Sequence, residues 1–230
     1  MLPIDLENNW LSYDDTIKTD KRTFFQYYFS LIYRKNLVLF SFFPNIDYNS
    51  KIIKIYLFFF NFAVFLLINT FFFNDNLIHE IYIGNRISLI KIISLKTFYS
   101  FLISYIVIFG VKFLALTEFD IIQIKILNKK EQLGKFYAKV LKKIYKRYLI
   151  FAIINICFLI ISWYYISSFC AVYMNTQIYL IINTIISFIK ALLFPFIFCF
   201  IPSLLRFISL WDPAKDRERL YKVSRIVQII

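Results

Sequence analysis

His79 is the only histidine in the 230-residue chain, and it stands beside Glu80 and close to Asp75. A metal centre needs further ligands at regular spacing, so a solvated loop at headgroup level is the favoured reading of these three. Cys157, Cys170 and Cys199 contain no C-x-x-C pair. They read as free, buried, hydrophobe-like thiols, with a disulfide through Cys170 as the alternative. The chain holds 3 glycines, and neither a Gly-rich phosphate loop, a G-x-S-x-G nor an H-E-x-x-H sequence occurs. No pair of carboxylates falls inside an apolar run, which leaves a proton relay little to work with. The expectation is a protein with no catalysis of its own, no cofactor and no metal.

The polar residues that do fall inside apolar runs are the candidates for an intramembrane site. Lys190 is an intramembrane charge if its helix begins near residue 180, and such a residue is a functional candidate by default. A helix beginning near 188 would let Lys190 snorkel to the outer headgroups, and Pro195 and Pro202 permit such a shift; that is the favoured reading. Asn61, Asn69, Asn155 and Asn183 can line a pore or bond between helices, and Ser100 and Ser104 suit close helix contact. Packing is favoured for both groups. Lys190 and Asn183 together form the possible intramembrane polar site.

Two basic segments carry a clearer pattern. In "LGKFYAKVLKKIYKRYLI" (133–150), Leu133, Phe136, Val140 and Ile144 recur at three and four residues, opposite Lys135, Lys139, Lys142 and Lys146. The tail sets Leu220, Val223, Val227 and Ile230 against Arg219, Lys222 and Arg225. Both read as basic amphipathic helices suited to a surface of anionic lipid, with the four lysines of the first as lipid contacts. Capture by a helix-binding protein or docking on a partner subunit are the alternatives. Nucleic acid is not expected as a partner, because the net charge of +13 follows from membrane topology and no nucleic-acid motif accompanies it.

The elements that must position these residues follow from hydropathy. Hydrophobic residues make up 60% of the chain, against about 45–50% in an ordinary soluble domain, and the mean hydropathy is +0.65. Four runs are long enough to cross a bilayer as helices, at about 52–73, 93–114, 148–173 and 180–205, and none shows the period-two alternation of barrel strands. The run 24–43 is a tempting fifth, but Arg34, Lys35 and Asn36 stand at its centre, and each charge there costs about 2.5–3.5 kcal/mol. Gln26, Ser30 and Arg34 recur every four residues as a polar stripe, so this segment reads as an interfacial helix broken near Pro44. The expected fold is an all-α membrane protein: four transmembrane helices, an interfacial N-terminal helix, and basic amphipathic cytosolic helices. The expected division is a polar N-terminus (1–23), a membrane domain (24–210) containing a cytosolic linker (118–147), and a basic tail (211–230). Residues 1–20 carry five carboxylates and no basic-then-apolar pattern, so no signal or transit peptide is expected.

Of the 27 Lys and Arg, 23 fall before the first run, between the second and third, after the fourth, or at the inner ends of spans; Arg86, Lys91, Lys96 and Lys190 remain for the other side. Both termini and the middle linker are therefore expected on the cytosolic side. Asn175, Thr176 and Gln177 then form a tight outer connection between the third and fourth spans, their amides satisfied by water or headgroups. A plasma or internal membrane is favoured, with the mitochondrial inner membrane as the alternative.

Several stretches carry a resemblance: "DYNSKIIKIYLFFFNFAVFLLINTFFFND" (47–75), "IHEIY" (78–82), "VKFLALTE" (111–118), "SWYYISSFCAVYMNTQIYLIINTIISF" (162–188), "FPFIFCFIPSLLRF" (194–207) and "RLYKVSRIVQII" (219–230). Over about residues 24–230 the chain resembles a C-terminal membrane module of large, uncharacterised ciliate transmembrane proteins. Its order of helix pair, linker and helix pair is also similar, in topology, to the early membrane helices of polycystin-1 and egg-jelly-receptor-like proteins. The resemblance implies a membrane anchor or interaction module of a receptor-like or adhesion-like assembly, with another membrane protein as partner. A channel or transporter accessory subunit, or a membrane subunit of an organellar energy-converting complex, are the alternatives.

Overall fold

The structure is a computed structural model, and it describes residues 11–43, 47–73, 75–83, 86–118, 120–122, 124, 133–211 and 217–229. Among these the regular structure is helical, with no strand. The helices are α1 (Tyr13–Thr19), α2 (Phe24–Lys35), α3 (Leu37–Phe42), α4 (Lys51–Phe71), α5 (Asp75–Ile83), α6 (Arg86–Ala115), α7 (Leu133–Val172), α8 (Gln177–Phe198), α9 (Phe200–Trp211) and α10 (Glu218–Ile229). Four segments are long and apolar enough to cross a membrane: Lys51–Phe71, Leu95–Ile122, Tyr137–Val172 and Gln177–Trp211. The expected all-α membrane fold with four such helices is therefore what the chain adopts.

The chain divides into a terminal unit, residues 1–48 with 192–230, and a central unit, residues 49–191. The first described helix and the last fold together, since the Thr16 and Tyr221 hydroxyls lie 2.8 Å apart in the interior of the terminal unit. The division falls inside α8, between Ala191 and Leu192. Pro195 has no N–H to return to the Ala191 carbonyl, which weakens helical continuity at that point. Further along, Pro202 withdraws the donor that the Phe198 carbonyl would have received. Its ring crowds that carbonyl as well, and α8 ends at Phe198. As the third residue of α9, Pro202 sits in a first turn, where its missing N–H costs nothing.

In the central unit α4 packs along α6 and α7. Rings register α4 on α7: Tyr56 on Phe151, Phe60 on Phe158 with centroids 4.8 Å apart, and Phe71 on Tyr165. Phe188 of α8 meets Phe58, Phe62 and Phe65 of α4 edge to face. The polarity of both units is inverted relative to a water-soluble domain. Thr97, Ser100, Ser104, Thr184 and Ser187 are buried, while Ile106, Phe113, Ile160 and Trp163 are exposed. In α9, Ser203, Arg206 and Ser209 face inward and Phe200, Ile201 and Trp211 outward. That distribution suits hydrocarbon as the surrounding solvent, where close helix contact uses small polar residues.

Three local outcomes correct the sequence reading. The 24–43 segment ends at Phe42, with extended Phe43 just before Pro44, and breaks at Asn36 as well, which the sequence reading did not anticipate; Pro44 itself lies outside the described residues. Asn36 has ψ 122°, and its Oδ1 accepts from the Val38 and Leu39 amides at 3.1 and 3.2 Å, ending α2 and capping α3 in one residue. The stripe meant for water is turned: Ser30 is buried, its hydroxyl donating to the Tyr27 carbonyl, and only Gln26 is fully exposed. Finally, the turn between α7 and α8 takes part of its hydrogen bonding from the polypeptide itself. Asn175 takes φ 66°, a left-handed value that Asn tolerates, Thr176 Oγ1 donates to the Tyr173 carbonyl, and Gln177 Nε2 donates to the Cys170 carbonyl at 3.1 Å. Of the last carbonyls of α7, that of Phe169 thus receives the Tyr173 N–H and that of Cys170 the Gln177 side chain.

The largest departure is α7. The basic segment 133–147 is the first part of the same 40-residue helix that carries the third span. Val140 is buried inside the central unit and Ile144 half-buried, so this part of the expected apolar stripe contacts protein. Lys139, Lys142 and Lys146 are exposed. Lys135, Leu133 and Phe136 lie on the helix, but their side chains are outside the described residues, as is Ile230 of the tail.

Candidate functional site

The residues expected to form the intramembrane polar site are both on α8. That helix begins at Gln177, not near 188, so Lys190 is 13 residues in, about 20 Å along the axis. Its Nζ donates to Thr97 Oγ1 of α6 at 2.6 Å. Asn183 stands seven residues earlier, two turns away on the same face, and is buried. Its side-chain Oδ1 has no hydrogen-bond partner among the described residues. The same holds for Asn61 Oδ1 of α4, Ser100 and Ser104 Oγ of α6, and Asn155 Oδ1 and Ser162 Oγ of α7. Each of the four spans contributes at least one such atom. Asn61 adjoins Phe60, which packs on Phe158, and Asn155 and Ser162 lie one turn to either side of Phe158. His79 is exposed on α5; the side chains of Asp75 and Glu80 are outside the described residues.

The densest charged constellation was missed in the sequence. It is built in the terminal unit from "TDKRTFFQ" (19–26), α9 and α10. Asp20 closes α1, its N–H donating to the Thr16 carbonyl. Thr23 and Gln26 form a capping box that starts α2 three residues later. Between the two helices Arg22 folds back on Asp20 bidentately, Nε to Oδ1 and Nη2 to Oδ2, both at 2.7 Å. From α9, Arg206 Nη2 donates to the same Oδ2 at 2.6 Å. Arg206 is 1% and Asp20 2% exposed at their side chains. The Arg206 guanidinium lies over the Tyr27 and Tyr221 rings, 4.6 and 5.2 Å from their centroids, an arrangement that stabilises a desolvated cation. The Tyr27 and Tyr221 hydroxyls are in turn engaged by Gln228 and Thr16.

Burial by itself would raise the Asp20 carboxyl, but the hydrogen bonds and charges of Arg22 and Arg206 together outweigh it and hold Asp20 below its ordinary value of 3.8. A cavity of about 170 Å³ opens beside this cluster, bounded by Lys21, Arg22, Phe24, Arg206, Phe207 and Trp211 among others. The capping box was a legible signal; Arg206 was not, since it reads as one more cytosolic charge.

A second cluster stands in the central unit. Asp120, beyond the end of α6, is buried and accepts from Lys143 Nζ at 2.9 Å and from Arg147 Nη1 of α7. Arg147 also donates through Nη2 to the Phe113 carbonyl and to that of Leu116 at 2.7 Å. One guanidinium thus closes the C-terminal end of α6 and neutralises the carboxylate that follows it.

No family model matches the chain, and no curated protein and no solved structure matches it. What the site can do is therefore argued from its own groups. These are one buried ionic clasp with a cavity beside it, and a set of partnerless polar atoms in the spans. Among the described residues no group of three His, Cys, Asp or Glu is placed to hold a metal ion.

One titration is accessible at the edge of the cluster's helix. Burial pushes Lys35 at the end of α2 down to about 8 from 10.5. A group with a lowered folded value binds fewer protons folded than unfolded between those limits, so stability rises with pH across that window. Relative to Lys35→Met, the wild-type chain is expected to be less stable at pH 7.5, by no more than about 3 kcal/mol, and to draw level by pH 10.5. Parallel melting curves for the two chains in detergent at every pH would refute this.

Proposed function

We propose that the chain is a non-catalytic, multi-pass membrane module that anchors or joins a receptor-like or adhesion-like assembly, with both termini on the cytosolic side. The observation carrying this reading is the third span. Only 17% of its apolar window is buried within the chain, against 50% for the first span. Its outer half presents Trp163 and Tyr164 with the exposed hydroxyls of Ser167 and Ser168, and small hydroxylated residues on a span suit contact with another helix. The resemblance to the ciliate membrane module points the same way. On this reading Lys146 meets anionic headgroups where α7 leaves the bilayer, and Lys142, Lys139 and Lys135 extend outward from there.

The test is photo-crosslinking in the native membrane from positions 160, 163 and 167, with buried Leu57 as control. Adducts to a membrane protein at the three exposed positions are expected; adducts to lipid alone at all three would defeat the reading. Topology is checked by glycosylation acceptors, which should be modified after Asn175 and not after Asp212. Modification at only the second site would reverse the assignment.

A channel or transporter accessory subunit is the second reading. It is favoured by Lys190 well inside its helix and by the partnerless oxygens of Asn61, Ser100, Asn155 and Asn183, one from each span. Intramembrane groups of this kind mark polar pathways. Accessibility of cysteines introduced at 61, 100, 155 and 183 to a water-soluble thiol reagent discriminates: modification at all four supports a hydrated path, and protection at all four leaves helix packing.

A further inference from the structure

We propose that Lys190 is the contact charge for a second membrane protein, whose span brings an aspartate or glutamate to the same depth. The inference rests on the reading of this chain as a membrane module that joins an assembly, and it names the chemistry of the partner.

Depth comes first. The 22 residues of α8 cover about 33 Å. Lys190 stands about 20 Å from the start of the helix at Gln177 and about 12 Å from its end at Phe198. A helix crossing about 30 Å of hydrocarbon carries this charge inside it. An isolated ammonium at such depth is unfavourable, and intramembrane charges pair with one another or with backbone carbonyls.

Pairing comes second. Thr97 Oγ1 of α6 accepts from Lys190 Nζ at 2.6 Å, which orients the ammonium and leaves its charge uncompensated. Neither α4, α6, α7 nor α8 contains an Asp or Glu. Among the described residues Lys190 forms no ion pair, and of its three N–H donors the bond to Thr97 uses one. Ser100, one turn along α6 from Thr97, is fully buried, and its Oγ has no hydrogen-bond partner among the described residues. Unused hydrogen-bonding capacity thus accompanies the unpaired charge.

The surroundings decide what meets it. Phe188 fixes the rotation of α8, its ring lying among Phe58, Phe62 and Phe65 of α4. Lys190 is then half-buried rather than sealed. Its neighbour Ile189 is 48% exposed, and Phe98, next to Thr97, is 51% exposed. An apolar rim of this kind suits another span more than a watery vestibule. A second copy of these four helices brings no carboxylate, so the partner is a different protein. Asn or Gln on a partner span would accept the remaining donors without neutralising the charge. A carboxylate does both. Selectivity follows, because an acidic residue on the partner's span is itself unfavourable in hydrocarbon until it finds a cation.

The experiment places the full chain in lipid vesicles with synthetic transmembrane peptides. These are polyleucine helices carrying one central Asp, Asn, Lys or Leu, and association is read by energy transfer from the chain to the peptide. Wild type is expected to hold the Asp peptide about tenfold more strongly than the Asn, Leu or Lys peptide. This comparison needs no variant to fold. Lys190→Met should lose the preference, Lys190→Arg should keep it, and Lys190→Glu should transfer it to the Lys peptide.

Equal association of the Asp and Asn peptides overturns the proposal, since hydrogen bonding alone would then suffice. Equal association of the Asp and Leu peptides also overturns it and leaves the ammonium to lipid headgroups. Release of the Asp peptide by sodium acetate would assign Lys190 to a soluble anion and overturn the partner span. Crosslinking from the third span separates the underlying reading. Protein adducts at 160, 163 and 167 without an Asp preference remove this contact alone, and a chain that stays out of vesicles removes the membrane reading itself.

Discussion

Asp20→Asn is expected to cost about 3–5 kcal/mol, because it leaves the Arg22 and Arg206 guanidiniums inside the terminal unit without the carboxylate both of them bond. Fusing α1, α9 and α10 into one body depends on this clasp, so the loss should appear as early melting of that unit in detergent and as fast proteolysis around residues 19–23. The pH dependence has a definite sign. The folded Asp20 titrates below 3.8, so its contribution is complete above that value and is lost as pH falls through the folded value. Wild type should lose stability below about pH 4, and Asp20→Asn should show a shallower acid slope. Pairing Asp20→Asn with Arg206→Met replaces two buried charges by neutral groups of similar size and should recover most of the loss. If the double variant is no better than the single, the clasp is not the source of the effect.

Arg147→Ala should be comparably severe in the central unit, at about 3–5 kcal/mol, although a count of charges would rank it with its neighbour Lys143. Lys143 is 57% exposed at its side chain and Arg147 15%, and both pair with the same Asp120. Removing the lysine takes away a screened partner worth less than about 1 kcal/mol. Removing the arginine leaves Asp120 buried beside a mobile ammonium and strips the Phe113 and Leu116 carbonyls of their donor. Hydrogen exchange at residues 113–122 should therefore accelerate strongly in Arg147→Ala and little in Lys143→Ala. Similar exchange in the two variants would show that the clasp does not hold the end of α6.

The four spans were legible because hydropathy over some twenty residues reports a property of the segment itself. The tight turn at 175–177 was legible for the same reason, although not its means of satisfaction, which needs Gln177 to find a carbonyl seven residues back. The continuity of α7 was not legible. Hydropathy changes sharply near residue 148, but no glycine or proline stands between Gly134 and the end of α7, so the boundary of the apolar run is no boundary of the helix. Arg206 was invisible as a buried cation because its carboxylate lies 186 residues away, and pairing rules within one helix reach only three or four residues. The Asn36 break was obscured by a composition that fits a helix throughout 24–43; what ends α2 is a side chain capping the next helix.

The unbroken α7 also has a mechanical meaning. Its 40 residues extend about 60 Å, twice the hydrocarbon thickness, and α-helix is stiff on that scale. A span that pivots about the bilayer midplane by roughly 10° sweeps its basic end sideways by about 7 Å on this geometry. Any torque applied by a neighbour at Trp163 is thereby delivered at Lys139 as lateral travel, with no bond in the intervening backbone remade. The segment between them works as a lever arm, and its gain is set by how many residues the helix continues past the membrane.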